Sequence, residues 1–260
     1  LFEDYPAGNS PARPHELASG TKRFRGGAAA AAVQDGLFAL DDRVSDTIAE
    51  WKDDPKKSPV TIRQLLTLTS GIQTGGEAGA PPPYADAVAM PMVTAPGEEF
   101  KYGAVAFQVF GELMRRKLSD KKEDLVGYLT RRIFEPIGLK VGSWKKGPDG
   151  NPTVPSGARL TARNWARFGE LARLGGTWEG KEIVRKDLLD GCFEGTKPNP
   201  AYGLTGWLNR PTTPQQRLKI PLLAVAADLH RGDRLPADLV MAAGAGNQRH
   251  RLLTRQGTVG

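Results

Sequence analysis

Cysteine is almost missing. Cys192 stands alone in 260 residues, so no disulfide can form within the chain. Histidine is nearly as scarce. His15, His230 and His250 are scattered, with no spacing that gathers metal ligands, so neither metal chemistry nor a cofactor is expected. No apolar run approaches the ~20 residues that a membrane-spanning helix needs. Positive charge is in surplus, with a formal net charge of +7, but it is not concentrated. The clusters Arg115-Arg116-Lys117, Arg131-Arg132 and Lys145-Lys146 have acidic residues near most of them, and no nucleic-acid motif accompanies them. They read as solvated helix faces. Nucleic acid is not an expected partner, and the surplus charge allows only a weak pull on anionic polymers or substrate carboxylates.

What is present begins with Ser19-Gly20-Thr21-Lys22, followed by an alanine-rich run from Gly26 to Gln34. Residues three apart on a helix share a face, so a helix starting at Ser19 sets its hydroxyl beside the Lys22 amine. It also sets Ser19 at the positive end of the helix, beside unpaired backbone N–H groups. A serine hydroxyl is a poor nucleophile until a base takes its proton. A lysine whose charged form is penalised by burial can be that base. Taken alone, the tetrad reads first as a serine N-cap followed by a solvated lysine.

The length and the ordinary hydrophobic and charged fractions suit a globular chain of one large domain or two closely packed lobes. Residues 1–14 read as loop, and 19–35 as a helix. Gly36 to Asp42 reads as a turn into a short segment, and 61–68 as a helix that Thr61 caps and Ser70-Gly71 ends. Gly75 to Pro83 is a loop. Apolar spacing predicts a buried helix over 105–118, a helix over 125–137 closed by Pro136 and Gly138, and an amphipathic helix over 161–174. In the last of these Trp165, Phe168, Leu171 and Leu174 form the apolar face, Thr161 is the N-cap and Gly175-Gly176 the stop. Leu239 to Ala243 reads as a strand, with 249–254 as its partner. Helices outnumber strands. The expected class is α/β (α+β in some schemes), an antiparallel sheet flanked by helices with an α-rich lobe.

Three more stretches accompany the tetrad: Leu65-Leu66-Thr67-Leu68-Thr69-Ser70-Gly71-Ile72, Phe100-Lys101-Tyr102-Gly103-Ala104, and Ala242-Ala243-Gly244-Ala245-Gly246. In this order and rough spacing, over nearly the whole chain, the sequence resembles the serine β-lactamase-like family. That family includes class C β-lactamases, D-alanyl-D-alanine carboxypeptidases and esterases with a β-lactamase fold. Its pattern is Ser-x-x-Lys, then Tyr-x-Asn, then Lys-Thr-Gly or His-x-Gly on a strand, and Leu65 to Ile72 matches its segment LLTHTSGI. The resemblance implies a β-lactamase/transpeptidase-like fold over 1–260 as a single domain. It implies acyl transfer with Ser19 as nucleophile, Lys22 as its proton partner and Tyr102 as second base or relay. Aligning the third motif on Gly244 puts Ala242 where the family has Lys or His. The backbone N–H groups of Ala245 and Ser19 then make the oxyanion hole.

Ala242 and Ala104, the latter in place of the family's Asn, remove polar groups that β-lactam-cleaving members use. Ester cleavage is therefore favoured, on a small-molecule ester, amide or β-lactam substrate. A β-lactamase or D-alanyl peptidase is the rival enzyme, and a non-catalytic homologue that binds a ligand is the rival from another class. His15 lies close to Ser19 in sequence, but no Gly-x-Ser-x-Gly elbow surrounds the serine, so a Ser-His arrangement is not favoured. Trp207 suits a cleft wall and a core position equally. By resemblance an extracytoplasmic or periplasmic location is open. Eighteen residues precede Ser19, and the chain stops at 256–260 where the family would continue, which reads as a fragment or a minimal member, truncated at both ends.

Overall fold

The computed structural model describes residues 3–5, 8–75, 80–204, 206–225, 235–253 and 258–259. The readings placed on His230 and Thr254, on 256–257 and 260, and on 1–2, 6–7 and 76–79 of the two expected loops lie outside them. The chain enters through a short strand, β1 (His15–Glu16), and a 3-10 turn, Ala18–Lys22, that runs directly into helix α1 (Arg23–Gln34). Alanine is the best helix former and its side chain is small, so neighbours can approach α1 closely. Ala28 to Ala32 are at most 3% exposed. Phe24 meets Phe134 and Phe168 edge-on, with ring centroids 5.2 and 4.8 Å away. This helix is the axis of the core.

Helix α2 (Ile62–Leu66) carries the anticipated cap as a full capping box, with Thr61 and Gln64 bonding each other's backbone. It is followed by α3 (Tyr84–Ala89) and the buried α4 (Val105–Lys117). Helix α5 (Leu125–Leu129) continues into a π-helical turn, Thr130–Phe134. Strands β2 (Ser143–Trp144) and β3 (Ala158–Leu160) come next, with β3 pairing antiparallel to both β1 and β2. Helix α6 (Ala162–Arg173) begins at its Thr161 cap and buries Trp165, Phe168 and Leu171. Leu174, expected on the same face, is instead 41% exposed, because the helix has already ended at Arg173.

A hairpin, β4 (Thr177–Trp178) and β5 (Lys181–Glu182), leads to α7 (Lys186–Gly191). The rest builds an antiparallel sheet in the order β6 (Trp207–Leu208), β7 (Leu239–Gly244), β8 (Gln248–Leu253), β9 (Thr258–Val259), with α8 (Pro214–Lys219) and α9 (Leu222–Val225) between its first two strands. The expected strand and its partner are β7 and β8, paired from Leu239↔Leu253 to Gly244↔Gln248. The basic clusters on α4 and after α5 are paired as expected. Arg116 bridges Glu50 and Glu112, and Arg132 holds Asp35. Among the described residues no helix is long and apolar enough to cross a membrane.

Candidate active site

Ser19 lies in the 3-10 turn rather than at the start of an α-helix, and this sharpens the geometry. In a 3-10 turn residues three apart eclipse one another. Lys22 Nζ donates to Ser19 Oγ at 2.8 Å and to the Pro155 carbonyl at 3.1 Å. The residue before the serine, Ala18, has φ +46°, in the left-handed region that non-glycine residues seldom occupy. Strain of this kind persists only where surrounding structure enforces it.

Every residue of the tetrad has a tertiary task. Gly20 lies beneath the Trp165 indole, where a Cβ would come within 2.8 Å of two ring carbons. The Thr21 hydroxyl accepts from Ala158 N at 3.2 Å, and Leu17 N donates to Ala158 O at 3.0 Å, so the turn is stitched to β3. Lys22 is only 6% exposed. Burial, and after it the neighbouring Arg25 cation, pushes its amine well below the ordinary lysine value.

Tyr102 reaches this pair from another part of the chain. Lys22 Nζ lies 5.0 Å from the Tyr102 ring centroid and 5.8 Å from that of Phe107. The stretch from Leu65 to Ile72 is the brace for the Tyr102 loop. Leu68 O accepts from Lys101 N at 2.9 Å, Thr69 O from Gly97 N at 2.7 Å, and Gly71 O from Val93 N at 2.8 Å. Leu68 takes φ +60° and Gly71 φ +82° to present those carbonyls. Behind Tyr102, Trp207 stacks at 5.8 Å and 18°, and Tyr202 meets it edge-on at 6.1 Å. Trp207 is 5% exposed, a backing wall rather than an open cleft residue. Tyr102 borders an open cleft of about 890 Å³ whose walls include Thr74, Phe100, Lys101, Lys219 and Ile220.

The end of β7 is pressed onto the turn. A Cβ at Gly244 would collide with the Leu17 carbonyl oxygen and lie 3.0 Å from Gly20 N. Glycine is thus required there by close backbone approach. Ala245 follows on an exposed turn. Ala242 is buried within β7 opposite His250 and offers no polar side chain. His15 sits in β1 against Leu160, while the recorded partner of the Ser19 hydroxyl is Lys22. Among the described residues no three His, Cys, Asp or Glu side chains gather to hold a metal ion.

Three residues around the tetrad escape a reading by motif. The Pro155 carbonyl comes from a loop 133 residues beyond Lys22, held by Gln108 Oε1, which accepts from Val154 N at 3.0 Å. Arg25 and Tyr202 lie beneath the pair, bonded to each other at 2.6 Å. Arg25 carried a usable signal, since it follows Lys22 by the same spacing that joins Lys22 to Ser19. Tyr202 and Pro155 carried none.

Comparison with known proteins gives the family and the fold. The family profile Beta-lactamase matches residues 6–227. Protein flp of Staphylococcus aureus is 27% identical over 159 residues, a match covering 53% of this chain and 29% of that protein. The chain thus spans less than a third of that relative's length. A penicillin-binding protein homolog from Caulobacter crescentus superposes with TM-score 0.72 at 18% identity, covering 96% of this chain and 76% of that one. A family VIII carboxylesterase does so with TM-score 0.62 at 17% identity, covering 78% and 69%. At such identities the two structures speak for the fold, a β-lactamase/transpeptidase-like one.

Proposed function

The chain belongs to the beta-lactamase family, and from that premise we propose that it is a serine hydrolase that forms an acyl-enzyme on Ser19 and takes small esters ahead of amides and β-lactams. The observation that carries this reading is the 2.8 Å bond between a buried lysine amine and the Ser19 hydroxyl. A neutral Lys22 amine has a lone pair for the hydroxyl proton. As that proton moves to Nζ, Oγ attacks the substrate carbonyl carbon and the carbonyl π pair moves to oxygen. The N–H groups of Ser19 and Ala245 receive the oxyanion. The tetrahedral adduct collapses, and the leaving alkoxide takes its proton from Lys22, relayed by the Tyr102 phenol. Water then attacks the ester on Ser19 with the same groups acting in reverse.

Ser19→Ala is expected to abolish turnover of p-nitrophenyl acetate without changing the circular dichroism spectrum. Full activity in that variant overturns the nucleophile assignment. A reactive acyl probe separates the enzyme from a ligand-binding homologue by whether Ser19 becomes labelled.

The preference for esters rests on Ala104 and Ala242, which stand where the family has polar groups. Losing one charge-assisted hydrogen bond costs roughly 1.5–3 kcal/mol, about tenfold to a hundredfold in rate. A carboxylate-bearing amide suffers both losses, and a small ester has a better leaving group and nothing to anchor. The β-lactamase or D-alanyl peptidase reading draws support from the family itself and from the penicillin-binding protein homolog's fold. Comparing kcat/KM for a short p-nitrophenyl ester and for nitrocefin decides between them, and a higher value for nitrocefin promotes that second reading.

A further inference from the structure

We propose that Arg25 is a positioning residue for acyl transfer, whose guanidinium ties the Lys22 backbone to the Tyr202 ring and thereby fixes the Lys22 amine and the Tyr102 phenol relative to each other. The inference rests on the assignment of Ser19, Lys22 and Tyr102 made above.

Arg25 is 1% exposed. Its Nη1 donates to Lys22 O at 2.7 Å and its Nη2 to Tyr202 Oη at 2.6 Å. The guanidinium carbon lies 3.8 Å from the Phe107 ring centroid, the same ring that faces Lys22 Nζ. Tyr202 is 1% exposed and packs edge-on against both Tyr102 and Trp207. One planar fork thus locks the turn that carries the base, the ring behind the relay and the wall between them. A fork with fixed donor directions suits this task where a flexible ammonium does not.

The electrostatic setting is as specific as the geometry. Around Lys22 stand the Ser19 hydroxyl and Arg25 on its own segment, the Tyr102 phenol, the Phe107 ring of α4, the Pro155 carbonyl and, behind Arg25, the Tyr202 phenol. Among the described residues neither Lys22 nor Arg25 forms an ion pair with a carboxylate. A fixed cation below Lys22 opposes the ammonium form and leaves the lone pair available. The helix end does the same, since its dipole is positive there.

The test follows the pH dependence of covalent labelling of Ser19 by a fluorophosphonate in the full chain. Wild type should label with an acid limb that reports deprotonation of Lys22. Arg25→Met should move that limb upward by about one pH unit or more, slowing labelling about tenfold on the limb. Arg25→Lys, which restores the charge without the fork, should return the limb towards its wild-type position while labelling stays slower. An unmoved limb in a natively folded Arg25→Met protein overturns the inference and leaves the nucleophile assignment standing. Wild type that never labels overturns that assignment and the inference with it. Should Arg25→Met fail to fold, Tyr202→Phe serves, because it removes only one acceptor of the fork. It should label roughly fivefold more slowly with the limb in place, and a wild-type rate overturns the positioning role.

Discussion

Two basic clusters in this chain look alike in sequence and behave in opposite ways. Lys22, Arg23 and Arg25 stand at the start of α1, and Arg115, Arg116 and Lys117 at the end of α4. At the end of α4 the helix dipole is negative and welcomes cations. Arg116 donates to Glu50 at 2.6 Å and to Glu112 at 2.7 Å, and hydrogen bonding with Glu50, with Glu112 adding to it, raises its hold on the proton. At the start of α1 the dipole is positive and the three cations are buried. No described carboxylate pairs with them, and Lys22 is pushed towards losing its proton. Pairing holds the proton on a cation, whereas burial without a pair favours the neutral amine.

The sharpest way to break this contrast is by activity. Lys22→Ala should lower the acylation rate by something in the range of ~10²–10⁴-fold, while Arg116→Ala should leave it within about twofold. Comparable losses at both positions would show that the contrast is structural only. Tyr102→Phe belongs with the first cluster and should cost a factor in that same range, as measured by single-turnover acylation. A loss below about threefold returns Tyr102 to a packing role.

Backbone fit separates the regions next. The start of α1 is touched by the β7 backbone, so Gly244→Ala must displace either β7 or the Leu17 carbonyl. Destabilisation of about 1–3 kcal/mol together with loss of labelling is the expected result of overpacking there, read from thermal melts and probe kinetics. An active, equally stable Gly244→Ala protein would mean that the strand does not press on the nucleophile turn.

Stability supplies the finest distinction. Lys22→Met should raise stability at neutral pH, by about 1 kcal/mol or more, since it removes an amine whose protonation favours the unfolded chain. Arg116→Met should lower it by about 1 kcal/mol. The pH dependence has the same sign at both sites but different windows. Glu50 is held down to about 2 by the Arg116 hydrogen bond, so between 4.5 and that value the unfolded chain binds the extra proton and stability falls as pH falls. Lys22 is lowered from 10.5, so the unfolded chain again binds the extra proton, and stability rises with pH up to that value. Denaturant titrations across pH should lose the acid slope in Arg116→Met and the alkaline slope in Lys22→Met. Exchange of the two slopes would reverse the assignment of cause.

Much of this fold was legible because its signals are local. Thr61 and Thr161 cap the helices they precede, and the apolar spacing of 105–117 and 162–173 marks buried faces. The pairing of β7 with β8 follows from one apolar run and a glycine-containing turn that returns the next segment alongside it. The form of the nucleophile turn was less legible. A 3-10 start and a left-handed Ala18 are imposed by β3 and β7 on either side, and local propensity carries no trace of them. Leu174 shows the same limit, since apolar spacing continued one residue beyond the buried face.

By itself the sequence determined the Ser19–Lys22 spacing, the small residues that let α1 run through the core, and the motif order that placed the chain in its family. The first two depend on residues a few positions apart, whose separation a helix fixes, and the third only on the order of short motifs along the chain. Only tertiary structure decided that Tyr102 faces Lys22, that Pro155 supplies an acceptor, that Trp165 demands a glycine at position 20 and that Gly244 must yield to Leu17. It also decided which cations would be paired and which buried alone. The charge of a lysine is written in the sequence, but the cost of keeping it is set by the water and partners that folding removes.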